Sequence, residues 1–125
     1  MSNPYLLQEA EIVERIDEVA GVFTWRLRFT DAVVQRTYGF QPGQFNMVYL
    51  YGVGEVAISI VSDPRDERLY EHTIRVVGRV TRGLAQLQAG GFIGIRGPFG
   101  RGWPLREAQG RDVLIVSGGL GCAPT

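Results

Sequence analysis

The 125-residue chain is long enough for one domain and too short for two. Thirteen Lys and Arg balance thirteen Asp and Glu, so no global basic field exists to draw in nucleic acid or anionic lipid. One cysteine, Cys122, excludes a disulfide framework or a Cys-ligated metal cluster within the chain and fits a reducing, cytoplasmic setting, while 45% apolar residues are enough for a packed core. Residues 1–10 lack the basic start and apolar stretch of a signal peptide, and no window approaches the roughly 20 apolar residues of a membrane span.

Over residues 9–20, Ile12, Val13, Ile16, Val19 and Ala20 share a helical face and Gly21 could terminate it, so periodicity alone reads as a helix. Phe23, Trp25, Leu27 and Phe29 then alternate with Thr24, Arg26 and Arg28, which predicts a strand with one buried face. A turn region at residues 37–44 leads into residues 45–51, which are apolar on nearly both faces and read as a well-covered strand. Gly52 and Gly54 break it, residues 56–61 form the next strand, and a charged loop spans residues 65–71. Residues 73–77 predict a fifth strand, residues 81–89 a short helix capped by Thr81, and residues 92–96 a sixth strand. A Gly- and Pro-dense loop follows at residues 97–104. Residues 113–117 (VLIVS) then read as a parallel strand buried on both faces. The change of character near residue 105 suggests an antiparallel barrel or sandwich followed by the opening of an α/β unit.

Few residues offer side-chain chemistry. His72 is the only histidine, which removes Ser-His and Cys-His arrangements and most metal sites. It is expected at a strand edge on the surface, and Cys122 is expected as a small turn residue. Glycine, at 17 residues, is about twice its ordinary usage and concentrates between Gly78 and Gly121. Around Gly78, a strand exit meets a helix start with Arg75, Arg79 and Arg82 close by and the Thr81 hydroxyl available as cap or anion ligand. Two readings stand there, a pyrophosphate cradle or a capped connector helix with solvated arginines. Gly118-Gly119-Leu120-Gly121 follows an apolar run, where α/β sheets bind nucleotides, although it is not G-x-G-x-x-G.

Four stretches in order carry a family resemblance: Pro42-Gly43-Gln44-Phe45, Ile58-Ser59-Ile60, Gly78-Arg79-Val80-Thr81 with Leu84, and Arg96-Gly97-Pro98-Phe99-Gly100. The terminal Gly118-Gly119-Leu120-Gly121-Cys122-Ala123-Pro124 resembles the G-G-x-G-x-A-P opening of a pyridine-nucleotide domain. Together they resemble the flavin-binding domain of the ferredoxin–NADP reductase superfamily. Within it, Asn3-Pro4-Tyr5 and Gly54-Glu55-Val56-Ala57-Ile58-Ser59 resemble the branch of the gamma, diaphorase-type subunits of cytoplasmic NiFe hydrogenases and anaerobic sulfite reductase subunits, with the dihydroorotate dehydrogenase electron-transfer subunits near by.

The resemblance implies an all-β fold: a six-stranded antiparallel Greek-key β-barrel with one short helix over residues 1–105, then the truncated start of an α/β nucleotide-binding domain over residues 106–125. It replaces the helix at residues 9–20 with a strand. It implies FAD at the positions of the family's Arg-x-Tyr-Ser motif, here Val56, Ala57, Ile58 and Ser59. Ser59 would be the catalytic position near flavin N5, and Ile58 would pack on the ring. Thr73, Ile74 and Arg75 match a flavin-contacting stretch, with Arg75 able to replace the charge absent at Val56. Val80 and Thr81 match the pyrophosphate position, and Gly118, Gly119 and Gly121 the pyridine-nucleotide turn. NAD(P) and a [2Fe-2S] centre would belong to a longer chain, with hydrogenase or reductase subunits as partners in the cytoplasm. Val56 and Ile58 also leave open a flavin-less barrel serving as an interaction or scaffold module. Residues 113–125 are expected to be poorly packed, or to borrow contacts from another molecule, because their own sheet would be absent.

Overall fold

Phe23, Trp25, Leu27 and Phe29 all face the interior, each no more than 6% exposed, as their alternation predicts. They belong to strand β2 (Val22–Phe29), which lies antiparallel to β1 (Gln8–Val19) and β5 (Tyr70–Arg75). The computed structural model describes residues 5–125, so Asn3 and Pro4 of the family-like N-terminus lie outside the described residues. The remaining strands are β3 (Phe45–Leu50), β4 (Gly54–Ser59) and β6 (Phe92–Phe99). They form one six-stranded sheet in the order β4-β3-β6-β1-β2-β5, with every pairing antiparallel.

The sheet curls until its two edges meet. At the β4–β5 seam only one bridge forms, Ile60 to His72, supported by the Val61 N–H donating to the Glu71 carbonyl at 3.0 Å. The barrel is therefore closed at one rung and open beside it.

Residues 9–20 are strand and not helix. The apolar phase that suggests a helix arises from register shifts in the β1–β2 ladder, one between Ile12 and Glu14 and another between Asp17 and Val19. A bulge inserts one residue and reverses which parity faces inward. Ala10 and Ile12 enter the core, whereas Ile16 and Val19 are 39% and 69% exposed. A continuous helical stripe would have buried Ile12, Ile16 and Val19 together.

Helices are more numerous than the single one expected. α1 (Ala32–Thr37) stands where no element was predicted, capped by Asp31, whose carboxylate accepts from the Val33 and Val34 N–H groups at 2.8 and 3.3 Å. The predicted helix at residues 81–89 is α2 (Arg79–Leu84), which starts earlier, with Gly78 at its N-cap. A short α3 (Leu105–Ala108) and a 3-10 helix (Gly119–Cys122) complete the chain. Leu84 of α2 is fully buried beside Ile12, Val48, Ile74 and Ile93.

The predicted strand at residues 113–117 does not form. Val113, Leu114, Ile115 and Val116 are 61%, 88%, 59% and 85% exposed. A strand needs a neighbour to take its N–H and C=O groups, and no strand among the described residues pairs with this run.

Candidate functional site

The open part of the seam is a cleft of about 280 Å³. β4 lines one wall with Val56, Ala57, Ile58 and Ser59. β5 contributes Thr73 and Arg75, α2 contributes Thr81, and the C-terminal segment contributes Leu120, Gly121, Ala123 and Pro124. The tail is held near by the Trp103 indole N–H, which donates to the Pro124 carbonyl at 2.9 Å. An apolar wall with the Arg75 guanidinium, which has no ion-pair partner among the described residues, suits a flat, mostly apolar ring carrying an anionic tail.

Four of the predicted site residues lie elsewhere. Ile74 is 0% exposed in the core, because residues 72 and 74 of β5 face inward while 73 and 75 face the cleft. Val80 packs against the core next to Gly54. Gly118 and Gly119 are exposed and outside the cleft wall, and only Gly121 of that turn reaches it.

Thr81 lines the cleft, but its hydroxyl is spent on the local fold. It accepts from the Val77 and Gly78 N–H groups, both at 2.9 Å, and donates to the Gly78 carbonyl at 3.1 Å. The hydroxyl thus ties the start of α2 together from inside the helix, with Gly78 and not Thr81 at the N-cap. Any anion contact in the first turn of α2 falls to backbone N–H groups, which lack intrahelical acceptors there. Thr73 is similarly engaged. Thr24 gives its only hydroxyl proton to Glu18 at 2.8 Å, so Thr73 must be the donor in the 2.8 Å contact between the two threonines. Its lone pairs remain for the cleft. The Ser59 hydroxyl makes no hydrogen bond among the described residues, and Ser59 lines the cleft.

His72, expected at the surface, is fully buried. Its Nδ1 lies 2.9 Å from the Ser59 carbonyl, and its Nε2 lies 3.1 Å from Asn46 Nδ2. A carbonyl can only accept, so Nδ1 carries the proton and Nε2 accepts from Asn46. Asn46 Oδ1 is then turned to the Tyr38 hydroxyl, which donates to it at 2.8 Å. The Tyr70 hydroxyl donates to the Tyr38 carbonyl at 3.1 Å. Burial pushes the His72 pKa down to about 4, opposed in part by the Ser59 carbonyl. Burial likewise raises the Tyr38 pKa far above its ordinary value, so the phenol stays neutral. The signal for His72 was its parity: Tyr70, His72 and Ile74 are spaced by two and all are buried.

Gly97 makes room for this row. Its φ is +149°, and a Cβ there would overlap Asn46 Oδ1. Among the described residues, no group of three His, Cys, Asp or Glu side chains is arranged to hold a metal ion, and no helix is long and apolar enough to cross a membrane.

No family model matches the chain. Individual proteins do. The sulfhydrogenase 2 gamma subunit of Pyrococcus furiosus is 38% identical over 122 residues, covering 98% of this chain and 42% of that protein. The sulfhydrogenase 1 gamma subunit of the same organism is 39% identical over 124 residues, with the same coverages. A probable dihydroorotate dehydrogenase B (NAD(+)) electron transfer subunit of Methanocella arvoryzae is 41% identical over 115 residues, covering 92% of this chain and 39% of its own. This chain thus spans about two fifths of the length of the curated relatives it matches. Among solved structures, a cytochrome P450 reductase of Amycolatopsis superposes with a TM-score of 0.78 at 24% identity, over 94% of this chain and 37% of that one. A ferredoxin NADP+ reductase of Neisseria gonorrhoeae, solved with FAD and NADP, gives 0.67 at 22% identity over 80% of this chain and 41% of its own. These two likenesses carry the fold alone.

Proposed function

We propose, from the premise that this chain belongs to the ferredoxin reductase-like family of hydrogenase gamma subunits and dihydroorotate dehydrogenase electron-transfer subunits, that its seam cleft binds FAD. The protein would then be the flavin-binding part of an NAD(P)H-linked oxidoreductase subunit. It would pass electrons between a pyridine nucleotide and an iron–sulfur centre in a cytoplasmic hydrogenase- or reductase-type complex. The observation that carries the reading is one cleft gathering Val56, Ala57, Ile58, Ser59, Thr73 and Arg75.

The residues suit the group. Val56 and Ile58 offer an apolar surface for the ring. The Ser59 hydroxyl, without a hydrogen-bond partner among the described residues, is available to a polar ring atom. Arg75 is the cleft cation for a phosphate, standing in for the charge that Val56 does not supply. When bound, FAD supplies the exchange between two-electron and one-electron chemistry. The chain's own part is to bind, orient and shield. Residues 106–125 are proposed as the opening of a nucleotide domain, with residues 1–105 as the flavin-binding unit. Gly121 is the member of the Gly118, Gly119, Gly121 turn that meets the cleft.

The test is titration of the purified protein with FAD, followed by the visible flavin band and by fluorescence quenching. Arg75→Ala is expected to weaken binding about tenfold, the loss of one charge-assisted contact. A protein that is colourless once unbound FAD is removed, and that quenches no flavin fluorescence in the titration, would exclude the proposal, whether or not it assembles with partner subunits. It would favour the scaffold reading suggested by the missing charge at Val56.

A further inference from the structure

The buried polar row ends on the backbone of Ser59. The Ser59 carbonyl accepts from His72 Nδ1 at 2.9 Å, and the N–H of the same peptide unit, that of Ile60, donates to the Gln44 carbonyl at 3.0 Å. One peptide plane is thus held from both sides at the last closed rung of the seam, beside the open cleft. Behind the ring, Asn46 is 1% exposed and Tyr38 is 5% exposed, and each makes its bonds along the row.

We propose that His72, backed by Asn46 and Tyr38, is a positioning residue that fixes the Ser59 segment of β4 and so aims the Ser59 hydroxyl into the flavin cleft. This rests on the cleft being the flavin site. A regular ladder rung would close the seam there and bury Ser59 against β5. An aliphatic residue at position 72 would leave the part-buried Ser59 carbonyl without this partner. The imidazole spans the seam by a side chain instead, and a fully satisfied buried row is rigid. It reaches the carbonyl while leaving the hydroxyl side open.

The two ring contacts separate by substitution. Asn at position 72 keeps a donor near Nδ1 and so the Ser59 bond. Gln places its polar end near Nε2, keeping the Asn46 contact and losing Ser59. In the full-length protein, His72→Gln is expected to weaken FAD about tenfold and to alter the visible spectrum of the bound flavin, whereas His72→Asn stays within about threefold of wild type. On a Ser59→Ala background, His72→Gln should add no more than about a twofold loss. Equal weakening by Asn and Gln, or a Gln effect undiminished by Ser59→Ala, overturns the proposal. Ser59→Ala with wild-type affinity and spectrum would refute the flavin role of Ser59 itself and the relay with it. A Ser59→Ala effect without a His72→Gln effect refutes the relay alone. Should the variants not fold, nitrogen NMR of the wild-type imidazole decides. The expected result is the Nδ1–H tautomer with a resonance that moves when FAD is removed. An Nε2–H tautomer, or a resonance indifferent to FAD, overturns the assignment.

Discussion

Lowering the pH perturbs one buried group before the others. His72 has its pKa depressed from 6.5 to about 4 in the folded chain. In the unfolded chain the imidazole binds its proton as the pH falls through 6.5, while in the folded chain it stays neutral until about 4. The unfolded state therefore carries more bound protons across that window, and stability falls as pH falls. Above about pH 6.5 the contribution is fully present, and below about 4 the loss is complete. A depression of this size corresponds to about 3 kcal/mol at 1.36 kcal/mol per unit. The groups that face the ring are neutral: Asn46 of β3, the Ser59 carbonyl of β4, and Trp25 across the β2–β5 ladder. The Tyr38 and Tyr70 phenols next along the row have raised pKa values and do not titrate in acid. Asp63, held near 2 by Arg65 on the surface, titrates below this window. Urea denaturation at intervals between pH 7 and 4.5 is the assay, and most of the 3 kcal/mol is expected to be lost across it. His72→Asn should flatten the curve. A wild-type stability that is level from pH 7 to 4.5, or a His72 ring titrating near 6.5 by NMR, would refute the reasoning.

Other substitutions probe the same construction. Gly97→Ala sets a Cβ against Asn46 Oδ1 at a φ of +149°, so it is expected to cost at least about 2 kcal/mol in chemical denaturation. Val56→Arg restores a charge to the cleft wall and is expected to tighten FAD by up to about tenfold in a fluorescence titration. Arg15→Ala removes a guanidinium that donates to the Ala85 and Leu87 carbonyls and lies 4.5 Å from the Phe23 ring centroid. The end of α2 then loses its tie to β1, and a cost of about 2 kcal/mol is expected in thermal or urea unfolding.

What could be read from the residues depended on whether their parity was left undisturbed. β2 was plain because Phe23, Trp25, Leu27 and Phe29 alternate without interruption and face one core. β1 was hidden because its bulges shift the apolar phase, which mimics a helical stripe until the register with β2 is known. At β5 the same rule sorts the side chains: Thr73 and Arg75 line the cleft, while Ile74 and His72 share the opposite parity and belong to the core. Thr81 lines the cleft, and its hydroxyl saturates on Val77 and Gly78, a contact of local geometry that composition does not reveal. The helix at Ala32–Thr37 was missed although Asp31 is a good cap, since six residues carry too little periodicity to register.

The position of the cleft follows from the topology. A closed barrel has no free edge and so no backbone to offer a ligand, whereas an open edge presents unpaired N–H and C=O groups that invite pairing. Here the β4 and β5 edges meet only at Ile60 and His72 and then part, so Val56 to Ser59 are paired to β3 on one side and face the cleft on the other. Complete closure would remove the site, and complete opening would leave Ser59 without a fixed frame. A single rung, reinforced by an imidazole rather than by further ladder bonds, sets how far the seam opens. The same contact that completes the fold therefore defines the end of the cleft, which ties a group buried in the core to the shape of the surface beside it.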